Sequence, residues 1–133
     1  MQPLGKLAQL ARVYWYTVEF GLVRQDDGLR IYGAGIASSL SETIFALDDP
    51  SPNRVRFDLE RVMRTKYRID DFQQNYFVIP SFDELLRLTV ETDFAPLYEE
   101  LKAQPDIPVA RIEPGDVVLT HGTQAYAKAK AAA

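Results

Sequence analysis

Between Arg12 and Arg24 the chain reads VYWYTVEFGLV, eleven residues whose only charge is Glu19. A stretch this apolar has to be covered on more than one side, and its cover has to accommodate one carboxylate. An unpaired acid moved into an apolar setting costs several kcal/mol or has its pKa driven upward. The apolar positions Leu4, Leu7, Ala11, Tyr14 and Val18, with Ala8, Trp15 and Leu22 on the adjoining stripe, follow a helical period. The spacing predicts a helix from Leu4 to about Leu22, stopped at Gly21, with Trp15 and Glu19 on one face. Glu19 then falls in the last turn, where the helix dipole disfavours an anion. Two explanations stand on the residues alone. One is an ion pair, for which Arg12 is too far, roughly 10 Å along the axis. The other is a metal, since a carboxylate oxygen beside imidazoles is a common ligand set for mononuclear iron.

The global numbers narrow the setting. With 133 residues, 47% of them hydrophobic, the chain suits one domain with its own core. A net charge of −4 with scattered Lys and Arg argues against a nucleic-acid footprint and for a small-molecule partner. No run of eighteen apolar residues and no signal-peptide pattern occurs, so no membrane partner is expected and the expected location is cytoplasmic. No cysteine is present, which removes disulfides, thiolate ligands and a cysteine nucleophile together. The single histidine, His121, lies in the polar stretch THGTQ and reads as solvated. A site of two histidines and one carboxylate therefore cannot be assembled from these residues alone.

Local signals organise the rest. Asp27-Gly28 between two short apolar runs predicts a hairpin turn. Gly33-Ala34-Gly35 lacks the third glycine of a dinucleotide loop, because position 38 is Ser, so that reading is discarded. Ser39-Leu40-Ser41-Glu42 is a capping box opening a helix to about Leu47, and one of Ser38 and Ser39 is expected to cap it. Val55 to Phe57 reads as a strand, Asp58 as the cap of a short helix, and Phe72 to Ile79 as a strand. Ser81 to Glu84 is a second capping box, with a break near Asp93 ahead of Pro96. From Gln104 onward the prolines leave at most a small hairpin around Glu113 to Asp116 and a frayed AYAKAKAAA end. The expected division is 1–104 as folded domain and 105–133 as a Pro-containing tail with a disordered end. The expected class is α+β, mainly helical with short strands and hairpins.

Three blocks in order, ARVYWYTVEFGL, GLRIYGAGIASS and RTKYRIDDFQQNYFVI, resemble the pterin-dependent aromatic amino acid hydroxylases, most closely the single-domain bacterial phenylalanine 4-hydroxylases. The likeness runs from about Leu10 to about Leu101 and is dense from Ala11 to Ser39. It implies the catalytic-domain fold of that family, in part, and a phenylalanine 4-monooxygenase using O2, a tetrahydropterin and non-haem Fe(II). By the same resemblance Glu19 is the glutamate ligand of the iron. Trp15, Gly35 and Ser38 border the amino acid, and the turn from Gly35 to Ser38 forms part of that wall. Ser38 also bonds an iron-bound histidine, and Ala11 and Tyr14 lie near the pterin. Where the family commonly has a larger residue, this chain has Ala37.

The family's histidine pair, spaced His-x-x-x-x-His, is not in this sequence, so the expected partner is the N-terminal half of the catalytic domain. Alone the chain is expected to be inactive. Two other readings are a non-catalytic fold fragment serving binding or assembly, and a fragment of a tyrosine or tryptophan hydroxylase.

Overall fold

The computed structural model describes residues 2–69 and 71–132, with side chains from residue 8 onward; the side chains of Leu4 and Leu7 lie outside that description. The first element, α1 (Gln2–Tyr14), does not continue as α-helix to Leu22. It passes into a π-helical segment, Trp15–Glu19, which ends at Phe20. The cause is local. Thr17 Oγ1 donates to the carbonyl of Val13 at 2.6 Å and also lies 3.4 Å from that of Tyr14, competing for the acceptors on which the α ladder depends. The ladder slips by one residue, and Phe20 N bonds Trp15 O at 2.8 Å.

Then come β1 (Leu22–Gln25) and β2 (Gly28–Ile31), an antiparallel hairpin. The turn is one residue earlier than expected, at Asp26 and Asp27, with Gly28 opposite Gln25 at φ 129°. The segment expected as a turn from Gly35 to Ser38 is a short helix, α2 (Ala34–Ala37). The helix opened by the first capping box is α3 (Leu40–Asp48), where Ser39 accepts from Glu42 N at 3.2 Å. After β3 (Asn53–Arg56) comes α4 (Leu59–Met63), capped by Asp58, which accepts from Arg61 N at 3.1 Å. After β4 (Asn75–Ile79) comes α5 (Phe82–Glu91), capped by Ser81, and the break falls at Asp93, which caps α6 (Phe94–Leu101). The chain closes with β5 (Val118–Thr120) and α7 (Ala125–Ala132).

The five strands form one mixed sheet in the order β2-β1-β4-β3-β5, with β4 parallel to both β1 and β3 and the outer pairs antiparallel. The central place goes to the strand that is buried along its whole length. Its side chains divide by the two-residue period: Phe77 and Ile79 enter a core with Val13, Tyr16 and Met63, and Tyr76 and Val78 enter a second with Ile36 and Phe45. Elements α1 and α4 thus lie on one face, and α2 and α3 on the other. The π segment stands where the first face meets β1.

The region expected as a tail packs back onto this framework. Ile107 is buried, and β5 pairs with β3 rather than with a strand before the Glu113–Asp116 turn, so no hairpin forms there. Asp116 pairs with the buried Arg61 at 3.0 Å. Asn53 Oδ1 accepts from Gly122 N at 2.8 Å, and Tyr126 meets the rings of Phe45 and Phe72 at 5.2 and 5.1 Å. The alanine-rich end is helical, as its propensity favours. Among the described residues no helix is long and apolar enough to cross a membrane.

Candidate functional site

Glu19 closes the π segment, half-buried, and its Oε2 accepts from the Tyr14 hydroxyl at 3.3 Å. No arginine or lysine pairs with it among the described residues. Arg12 is turned to the Met63 carbonyl at 3.1 Å and to Asp106 at 2.8 Å, and it holds the Asp106 carboxyl below the usual carboxylate range. The ion-pair explanation of Glu19 therefore lacks a partner. What remains is an anion at the C-terminal end of a helix, compensated by one neutral hydroxyl.

Two glycines press the next elements onto the same turn. A Cβ at Gly33 would stand 2.5 Å from the Glu19 carbonyl oxygen, and one at Gly35 2.9 Å from that oxygen and 2.8 Å from the Phe20 ring. The absent side chains let the start of α2 lie directly on the Glu19 backbone. Of the two serines, Ser39 is the cap of α3. The exposed Ser38 ends α2 and donates its hydroxyl to the Gly35 carbonyl at 3.1 Å. Capping accordingly explains Ser39 and not Ser38. Ala37, next to it, is exposed.

Trp15 occupies the other side of the turn. Its indole is stacked between Phe20, at 4.6 Å, and Tyr67, at 4.5 Å, and its N–H donates to Gln73 Oε1 at 3.2 Å. Both ring faces are covered, so any wall that Trp15 offers to a ligand is its edge. Ala11 and Tyr14, three apart and exposed, lie on one face of α1, and Tyr14 reaches Glu19. Glu19, Tyr14, Trp15 and Gly35 are therefore brought together around a single turn, with Ser38 bound to Gly35.

Sequence reasoning missed Gln73, Tyr67 and the buried acid Glu42. The Glu42 carboxylate accepts from Tyr76 Oη at 2.6 Å and Gln73 N at 3.3 Å, yet burial raises its pKa against both bonds. Its place in a capping box hid it, because that pattern accounts for an acid at position 42 without requiring burial. His121 is exposed just past β5.

Glu19 offers a hard oxygen donor and a negative charge without a cation, which suits one ligand position of a divalent metal. It offers only that one. Among the described residues no group of three or more His, Cys, Asp and Glu could hold a metal.

Residues 3–96 match the family described as biopterin-dependent aromatic amino acid hydroxylase. Phenylalanine-4-hydroxylase of Caulobacter vibrioides is 68% identical over 126 residues, 95% of this chain and 42% of that protein. The corresponding protein of Ralstonia nicotianae is 58% identical over 121 residues, 91% of this chain and 38% of its own length. The iron- and phenylalanine-bound crystal structure of phenylalanine hydroxylase from Chromobacterium violaceum is 57% identical, with a TM-score of 0.85 over 88% of this chain and 43% of that one. The chain thus spans about two fifths of the length of these relatives. The mixed sheet with its helices is the fold of that structure, and with the family match across most of the sequence, the chain belongs to the biopterin-dependent aromatic amino acid hydroxylases.

Proposed function

We propose that this chain supplies the carboxylate side of a phenylalanine 4-monooxygenase site. Glu19 is one ligand of a non-haem Fe(II), and the two imidazoles come from polypeptide outside these 133 residues. With a tetrahydropterin and O2, the iron supplies the chemistry that converts phenylalanine to tyrosine. This chain's residues ligate, orient and exclude water. The edge of Trp15, Gly35 and Ser38 border the amino acid, while Ala11 and Tyr14 lie toward the pterin. Tyr14 Oη, bonded to Glu19, holds one carboxylate oxygen and leaves the other free. The absence of cysteine fits a reducing cytoplasm.

The observation that carries this reading is a half-buried carboxylate with no cationic partner among the described residues. Exposed apolar side chains beside it, Tyr14 at 54% and Val18 at 48%, support further polypeptide covering this face.

The test adds to the chain the histidine-bearing upstream part of a relative. Alone, the chain is expected to bind Fe(II) weakly, because affinity depends on the whole ligand set. Equilibrium dialysis showing tight one-to-one binding by the isolated chain would overturn the reading. In the complemented pair, tetrahydropterin-dependent tyrosine formation should appear. Ser38→Ala should leave the melting temperature of the chain unchanged and lower metal affinity or turnover about 10 to 100-fold, the usual cost of removing a group that orients a ligand. An unchanged turnover would remove Ser38 from the site.

A further inference from the structure

We infer that Gln73 is a positioning residue that fixes the Glu19 turn through the indole of Trp15; its functional meaning rests on the reading of Glu19 as a metal ligand. Gln73 is 1% exposed, at the approach to β4, and uses both polar atoms of its side chain. Its Oε1 accepts from Trp15 Nε1 at 3.2 Å and from Arg68 N at 3.3 Å, while Nε2 donates to Arg68 O at 2.6 Å. The amide cannot be reversed, because a flipped NH2 would face two N–H donors. Its backbone N–H is held in turn by the buried Glu42 carboxylate.

This anchoring restrains the indole in the one direction its stacking leaves open. Tyr67 and Phe20 cover the two faces and resist tilting, but stacked rings slide and rotate in plane at little cost. The Gln73 bond to the ring edge removes that freedom. Trp15 and Phe20 also flank Glu19 along the chain and are joined twice, by the ring stack at 4.6 Å and by the bond from Phe20 N to Trp15 O at 2.8 Å. Glu19 therefore lies inside a short loop closed by backbone and by side chains, and the direction of its carboxylate follows from how firmly that loop is held. The same Phe20 ring rests against Gly35, so the restraint extends to the start of α2. An apolar residue at position 73 would fill the volume but take away the acceptor of the Trp15 N–H and two bonds to the Arg68 backbone, so it costs some overall stability as well. What the amide adds is a single orientation.

Trp15 is the sole tryptophan, so the chain reports on itself without metal or pterin. Ultraviolet resonance Raman of the unmodified chain should show a hydrogen-bonded indole N–H; a free one overturns the proposal at once. In Gln73→Met the indole marker should become that of a free N–H, the near-ultraviolet circular dichroism of the stacked rings should weaken, and amide exchange at Phe20 should quicken roughly tenfold. Exchange at Phe77 and Val78 in β4 should quicken less than at Phe20. A folded variant with unchanged Phe20 exchange, or with β4 loosened equally, overturns the proposal in favour of plain packing. Should Gln73→Met fail to fold, Trp15→Phe decides the matter, since it keeps a stacked ring and deletes the N–H. Faster exchange confined to the Phe20 turn supports the proposal, and no change there overturns it. If the unmodified chain shows the bonded indole but its complemented pair forms no tyrosine, the metal reading falls and the positioning of the Glu19 turn stands.

Discussion

Asp116→Ala is expected to lower the stability of the chain by about 3–5 kcal/mol, the usual cost of leaving a buried charge without its partner. Arg61 and Asp116 side chains are 6% and 5% exposed. Arg61 Nε lies 3.0 and 3.2 Å from the two carboxylate oxygens, and Nη2 is 3.2 Å from Oδ2. Without the carboxylate the guanidinium keeps the neutral Thr65 hydroxyl and Arg111 carbonyl and the Phe77 ring, which do not balance its charge. The backbone N–H of Glu113, which Asp116 Oδ2 accepts at 2.8 Å, also loses its acceptor. A loss of that size is a large share of a small domain's total stability. Urea denaturation should show it, and a change below about 1 kcal/mol would mean that the pair sits in a far wetter environment than its burial indicates.

That ion pair also shows where the sequence stops being informative. Helix starts at Leu40, Leu59 and Phe82 were legible because the caps Ser39, Asp58 and Ser81 act on N–H groups three residues away, and the break near Asp93 was legible from Pro96. The central strand was legible because its aromatic and β-branched residues leave no polar face. By contrast, Arg61 and Asp116 are 55 positions apart and Trp15 and Gln73 are 58 apart, and nothing in either segment names the other. For that reason the sequence from Gln104 onward looks like a separate, fraying tail, although its strand β5 and its acid complete the fold. The π segment escaped for a different reason. Its cause is the Thr17 hydroxyl competing with the backbone, and a helical hydrophobic period looks the same with or without one slipped residue.

Within the site, Glu19 stood out in the sequence as a lone acid in an apolar run, and the structure removed the arginine that would have explained it. The chemical assignment came from the resemblance, as did Ser38, which sequence alone could not separate from the adjacent cap. Gln73, which locks Trp15, carried no signal, because two adjacent glutamines at the start of an expected strand do not show which one turns inward.

The central claim is that Glu19 is a metal ligand, and the most direct measurement is iron retention by Glu19→Gln. The variant chain is combined with the histidine-bearing part of a relative, freed of unbound metal, and assayed for iron per complex and for tetrahydropterin-dependent tyrosine formation. Glutamine keeps the size of the side chain and an acceptor for the Tyr14 hydroxyl, so α1 and the π segment should hold and the halves should still assemble. It removes the anion that offsets the charge of Fe(II) and supplies an oxygen ligand. A direct ligand should cost more than the roughly 10 to 100-fold typical of the groups that orient ligands. The account predicts a complex of normal stoichiometry between the halves, with iron affinity reduced by more than about 100-fold and turnover lost with it. A Glu19→Gln complex that keeps full iron and full tyrosine formation would contradict it.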